Sequence, residues 1–223
     1  MFSAPSNHFI EGKRLLDTWE KVVEHVKAHG KRSDDGRIEI DGLGVLTTDP
    51  LGEKHLPEGI ADFPEFKEKL FLVEALVNPE ISFYAGQRLM TWSERKTVAQ
   101  LKSVCDHLRA KPTSNRAVMV TVNAEEDLPM RDDETYDFPP FLVFDFKRRD
   151  KLHLITYLRI CDVIRWWPIN LLQLSNLLDE VSNRVQCQSG EVIMLIGAAY
   201  VTENDYTKLW PRIKASGNRL KRT

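Results

Sequence analysis

The 223-residue chain is predicted to fold as an α/β protein, with helices packed about one large, mostly buried sheet. Three observations carry that expectation. The runs FLVFDF and KLHLITYL flank a charged tip, Lys147-Arg148-Arg149-Asp150; they alternate apolar with polar side chains and are rich in β-branched and aromatic residues, the pattern of a β-hairpin. Nearer the C-terminus, EVIMLIGAAYV is an almost unbroken apolar run, as expected of a strand covered on both faces. Amphipathic helices are expected on either side of these strands, over 12–29 and 170–185.

Taken in order, residues 12–29 place Leu15, Leu16, Trp19, Val22, Val23 and Val26 on one stripe opposite charged residues, a helix stopped near Gly30. The polar run KRSDDGR reads as a solvated turn, and IEIDGLGVLTT alternates as a strand. Asp49 to Phe66, rich in Pro, Gly and charge, is expected to be loop, and Phe66 to Val77 helical. ISFYAGQRL then leads to a helix over 97–110, with Val98, Leu101, Val104, Cys105 and Leu108 on one face, so Cys105 reads as a small buried hydrophobe. KPTSNR breaks that helix and feeds a strand over 117–122. Residues 124–137 are acidic and aperiodic, an exposed loop before hairpin strands at 141–146 and 151–159. After Asn170 a helix turns Leu171, Leu174, Leu178, Val181 and Val185 inward, and a final strand spans 191–201. The basic tail KASGNRLKRT is expected to fray. No repeat or linker divides the chain, so 1–223 is read as a single domain.

Composition narrows the function. A net charge of −2 and a pI near 6.3 argue against binding a nucleic-acid polymer. The longest apolar run, Val192 to Val201, is too short to cross a bilayer, and the N-terminal residues lack the charged-then-apolar order of a signal peptide. Cys105, Cys161 and Cys187 are odd in number and show no metal-ligand spacing, which suits a reducing compartment. A soluble cytoplasmic protein with no membrane partner and no metal is the expectation.

Beyond the hairpin come Arg159, Asp162, Pro168 and Asn170, in the spacing R-x-x-D-x(5)-P-x-N. An arginine, a carboxylate and a carboxamide near one strand end can together hold an anion and a planar heterocycle. The spacing resembles the nucleotide-binding signature of thymidylate synthase, especially the shorter archaeal-type enzymes and their pyrimidine hydroxymethylase relatives. Other segments resemble that family in its own order. FYAGQRL, with Tyr84, Gly86 and Arg88, looks like Y-x-Y-G-x-R-L, and QLKSVCDHLRAKPTSNRA like the helix leading to P-x-x-R-R. PPFLVFDFKRRDKLHL resembles the nucleophile strand and its hairpin, RICDVIRWWPIN the R-S-x-D-x-x-x-x-W-P-x-N segment, and SGEVIMLIGAAYVTEND the strand that ends in A-H-x-Y.

The resemblance implies a three-layer fold around one large mixed, mostly antiparallel sheet that dimerises sheet to sheet. It implies that Arg159 grips a nucleotide phosphate through a bidentate guanidinium, and that Arg116 is donated across the dimer interface to the partner's phosphate. By the same resemblance Asp162 and Asn170 are the candidate catalytic residues. Asp162 would hydrogen-bond the pterin of the folate, and Asn170 would read the O4 and N3 edge of a pyrimidine. Tyr84 and Trp167 would stand beside base and folate. From the residues alone, Arg159 in a surface ion pair and Asn170 as a helix N-cap remain open.

The chain also departs from the family. The family's chemistry needs a cysteine directly after Pro-Pro, whose thiolate adds to C6 of the pyrimidine. Phe141 stands in that place here, and Cys161 is the nearest other thiol. Ile160 replaces a serine, Asn115 the first interface arginine, and Tyr200 the histidine of A-H-x-Y; Glu68 and Glu74 are the nearest matches to the active-site glutamate. The expected function is a divergent one-carbon (methyl or hydroxymethyl) transferase using 5,10-methylenetetrahydrofolate on a nucleotide monophosphate, a pyrimidine by preference, or a related substrate. Ordinary deoxyuridylate methylation is not expected. The alternative is a catalytically inactive nucleotide- or folate-binding pseudoenzyme, or the partner of an active paralogue.

Overall fold

A computed structural model describes residues 8–81, 86–90, 99–127 and 139–220, apart from the side chains of 126 and 218–220. The strands are β1 (Phe9–Gly12), β2 (Lys31–Arg32), β3 (Arg37–Thr47), β4 (Val118–Val120), β5 (Phe141–Arg148), β6 (Leu152–Asp162) and β7 (Ser189–Thr202). They form one sheet ordered β1-β3-β7-β6-β5-β4, with β2 also paired to β3. The expected hairpin is present, β5 lying antiparallel to β6 with Phe144 opposite Thr156. β1–β3 and β6–β7 are parallel, so the sheet is mixed. The helices are α1 (Leu15–His29), α2 (Glu58–Ala61), α3 (Pro64–Lys67), α4 (Arg88–Met90), α5 (Gln100–Ala110), α6 (Ala124–Asp127), α7 (Trp167–Val185) and α8 (Trp210–Leu220). Parallel neighbours need a long crossover, and α7 is the one that joins β6 to β7.

Pairing register explains how the sheet buries one face. Met119, Phe144, Thr156, Met194, Val45 and Ile10 lie opposite one another across six strands, and every one is buried. One residue along, Val120, Val143, Tyr157, Leu195, Gly44 and Phe9 make the neighbouring row on the opposite face. In that row Val120, Tyr157, Leu195 and Phe9 are 39%, 38%, 44% and 56% exposed, an apolar band running the width of the sheet. The alternation is that of a strand with two different environments, one per face.

The alternation then breaks at one level in three adjacent strands. Inward residues are Leu43 and Val45 but Ile40 and Ile38 in β3, Met194 and Ile196 but Ala199 and Val201 in β7, Thr156 and Leu158 but Cys161 in β6. Each strand thus moves by three residues where two would keep its face. The pairing skips Gly42 between Asp41 and Leu43, and Gly197 between Ile196 and Ala198. Gly42 has φ +73°, a left-handed conformation that a side chain would strain. Arg159 falls in this step.

The core is centred on Trp19 of α1, which is 1% exposed. Its ring meets Phe66 and Trp210 edge-on at 5.6 and 5.3 Å, and its Nε1 donates to the Val163 carbonyl at 2.8 Å. One side chain therefore fixes α1, α3, α8 and the turn after β6.

Several expectations need correction. Residues 9–12 form β1, so α1 starts at Leu15. The segment 49–66 includes α2 and the first turn of α3. The helix expected over 66–77 is broken into α3 and a 3-10 turn, Leu70–Glu74. The Leu72 and Val73 carbonyls there accept the Gln173 and Asn176 side-chain amides from α7, at 2.8 and 3.2 Å, and Leu72 O also takes the 3-10 bond from Ala75 N at 2.8 Å. The tail does not fray at its start: Trp210 and Ile213 are buried in α8, and Lys214 bonds Glu20 and Glu24 of α1. Residues 97–98 and 128–137 of the expected helix and loop lie outside the described residues, while 124–127 form α6. No helix among the described residues is long and apolar enough to cross a membrane.

Candidate functional site

The turn between β6 and α7 is built by Asp162. Its Oδ1 accepts the Ile164 and Arg165 backbone N–H groups, each at 3.0 Å, and its carbonyl accepts that of Trp166 at 2.9 Å. With Val163 N bonded to the Tyr200 carbonyl and Val163 O to Trp19, the turn is held from both sides. α7 begins at Trp167 with Pro168 in its first turn, where a missing N–H costs nothing. Asn170 therefore sits a turn inside the helix and is not its N-cap. Its Nδ2 points back to the sheet and approaches Cys161 Sγ at 3.7 Å.

Asp162, Cys161 and Asn170 are thus brought together in a nearly closed place, 6%, 2% and 6% exposed. Burial pushes the Asp162 carboxyl above the usual carboxylate range, against the pull of the two N–H groups it accepts. Burial also pushes the Cys161 thiol well up, with Asp162 adding to it, so the thiol stays protonated. Half-buried Tyr200, paired with Asp162 across β6–β7, is likewise raised by burial and then by Asp162.

A carboxylate kept where ionisation is unfavourable should show itself in stability. The sign follows from its raised folded-state pKa: the cost is present above that pKa and disappears as pH falls below the unfolded value, about 3.9. Asp162→Asn keeps an oxygen for the two N–H groups and removes the charge. It should raise the melting temperature at pH 7, with the gain vanishing below about pH 4. Thermal melts at both pH values check this; a loss at pH 7 would show the charge to be stabilising.

The remaining expected residues are spread more widely. Phe141 is 2% exposed, packs its ring 5.5 Å from Phe144 and pairs with Leu158. Arg159 is exposed, and its backbone N–H bonds the Pro140 carbonyl at 2.9 Å, so it stands next to the Pro-Pro-Phe segment. Arg116 precedes β4 at the other end of the hairpin, where Ala117 O meets Phe146 N. Counting residues along β6 separates its level from Arg159 by roughly 20 Å, so one chain does not bring the two arginines together. Trp167 is fully buried, its Nε1 without a partner among the described residues. Tyr84 lies outside the described residues. Glu68 and Glu74 are exposed.

Three groups beside the site were missed. Arg165 grips Asp205 through Nε and Nη2 at 2.6 and 2.7 Å, which holds the Asp205 carboxyl low. Glu65, whose Oε2 is buried and unpartnered among the described residues, acts electrostatically on Arg165. Trp166 is 38% exposed, with Lys69 Nζ 5.0 Å from the centre of its ring. A lone arginine inside the apolar run VIRWW was the available signal. A polar cavity of about 320 Å3, lined in part by Lys13, Thr48, Lys151 and Ser189, opens at the opposite ends of the same strands.

Residues 68–220 match the family model described as "Thymidylate synthase". A Methanosarcina acetivorans protein named "Putative thymidylate synthase" is 31% identical over 206 residues, covering 88% of this chain and 90% of that protein. One of the same name from Methanococcoides burtonii is 28% identical over 95% of this chain and 97% of its own length. A Listeria monocytogenes "Thymidylate synthase" is 25% identical over 72% of this chain, and the match spans 51% of that protein.

Proposed function

Because this chain belongs to the thymidylate synthase family, whose chemistry is folate-dependent one-carbon transfer, we propose that it is a divergent methyl or hydroxymethyl transferase acting on a nucleotide without a thiolate nucleophile. The observation that carries the reading is the state of the two nearest candidates for that role. Phe141, in the place the resemblance gives the nucleophile, is packed into the core, and Cys161 is a buried, protonated thiol. Uracil C5 stays a poor nucleophile until C6 is attacked. A modified base or an amine that is nucleophilic by itself needs no such attack, and is the substrate class this site suits.

5,10-Methylenetetrahydrofolate would supply the one-carbon unit, and the residues present fit it. Asp162 offers a carboxyl group to the N–H groups of a pterin edge, and exposed Trp166 offers a flat apolar surface beside Lys69. Asn170 would orient a pyrimidine, Arg159 would take its phosphate, and Glu65 would stand in the acid–base place looked for in Glu68 and Glu74. Calorimetry with nucleoside monophosphates, and mass spectrometry of products formed with the folate, test the reading. Arg159→Ala should weaken nucleotide binding by roughly 10- to 100-fold, the worth of a charged hydrogen-bonded contact. Unchanged affinity, or no binding of the unaltered chain at millimolar nucleotide, sinks it.

The exposed apolar band is best accounted for by a second copy of the chain, sheet against sheet, which would add the missing layer and carry the partner's Arg116 toward Arg159. Light scattering should give a dimer at micromolar concentration; a monomer would contradict this. A pseudoenzyme is favoured by one observation: Asn170 and Asp162 already have partners within the chain, Cys161 Sγ for the first and two backbone N–H groups for the second. Nucleotide binding without product, and co-purification with a chain carrying Pro-Pro-Cys, would select it.

A further inference from the structure

Three of the six histidines meet at the surface where α1 runs beside the start of β1. His25 and His29 are one helical turn apart on α1, and their ring centres are 4.5 Å apart. His8 comes from a different segment. Its carbonyl accepts Gly44 N at 2.9 Å, and Phe9 after it pairs with Gly44 in β3, so its position is fixed by the sheet. The His8 ring lies 5.2 Å from that of His25 and 6.3 Å from that of His29. His8 Nδ1 and His25 Nε2 are 2.9 Å apart.

We propose that His8, His25 and His29 bind a late first-row divalent cation, Zn2+ being the representative case, and so clip the edge strand β1 to α1. Imidazole nitrogens favour such ions over calcium or magnesium. Two nitrogens held about 2.0–2.1 Å from one tetrahedral ion are about 3.3 Å apart, within about 0.5 Å of the separation His8 and His25 already have. Histidines at i and i+4 on one helix face can close on a single ion. No three such side chains among the described residues surround a common point as they stand. His29 is exposed, so binding would require only that its ring turn toward the other two. Water fills the fourth position, as in three-ligand zinc sites.

The test is a ZnCl2 titration of the full chain by calorimetry, with Co2+ absorption as a second readout of ligand geometry. One equivalent should bind, and Zn2+ at about a hundredfold excess over its dissociation constant should raise the melting temperature by roughly 5–10 °C. His29→Gln, at an exposed position, should keep the fold and weaken binding by more than about tenfold, and His25→Gln should do the same. The proposal is overturned if no Zn2+ binds at about 100 micromolar near neutral pH. It is equally overturned if both variants bind as tightly as the unaltered chain, which would put the ion on other ligands.

Discussion

Incubated with deoxyuridylate and 5,10-methylenetetrahydrofolate, the chain is expected to form no thymidylate at rates usual for enzymes, on the order of 1 per second or faster. The reason is chemical. The C5 carbon of uracil gains nucleophilic character only when C6 has accepted an attacking group. Phe141 has no atom able to attack, and its ring is locked between β5 and the core. Cys161 is a thiol, not a thiolate, because an anion there would lose its hydration and lie against Asp162. Phe141→Cys would leave a cavity costing about 3 kcal/mol or more and should not restore turnover by itself. Single-turnover product analysis by mass spectrometry decides the matter. Thymidylate formed at ordinary rates would mean that Phe141 does not occupy the nucleophile's place.

Asp127→Ala should lower stability by about 3–5 kcal/mol, the cost of breaking a buried ion pair by removing one member. Asp127 holds Arg88 through two bonds of 2.6 and 2.8 Å, and the side chains are 0% and 5% exposed. Arg88 also donates to Thr121 O, whose own hydroxyl bonds the Phe141 carbonyl, and Asp127 accepts the Asn123 N–H. The pair therefore ties α4 and α6 to the strand entry at Phe141. At a chain length near this one the loss corresponds to a fall of roughly 6–20 °C in melting temperature. Arg88→Met together with Asp127→Leu should cost clearly less than Asp127→Ala alone, since no charge is then stranded. Equal losses would mean that packing, not charge, holds this corner.

Much of the frame was legible because it is written in local periodicity. The hairpin, α1, α7 and β7 follow from apolar spacing that the sheet and helices then use directly. What local pattern could not show is where long-range bonds redirect the chain. The stripe over 66–77 looks like one helix, yet it folds as short turns whose Leu72 and Val73 carbonyls also hold amides from α7. The basic tail looks solvated, yet glutamates about 190 residues earlier hold it. β1 is four residues long, too short for its alternation to stand out. Among the candidate residues, spacing singles out Arg159, Asp162 and Asn170 but does not show which of them are buried. Trp167 turned out to be inside, and its neighbour Trp166 is the ring that faces solvent. Glu65 and Arg165 carry no spacing signal relative to each other, since only the fold brings α3 to the turn after β6.

The shared change of face in β3, β6 and β7 limits how this sequence can vary. A single deletion at Gly42 would turn Ile38 and Ile40 to the outer face while Val201 and Ala199 beside them still pointed inward. Length changes in these strands are therefore viable only when neighbouring strands, distant in sequence, change with them. Descendants of this chain can exchange side chains at Arg159, Cys161 and Asp162 one at a time, but the backbone beneath those side chains is inherited as a block. Anyone transplanting the site into another scaffold must carry three strand ends, not one loop.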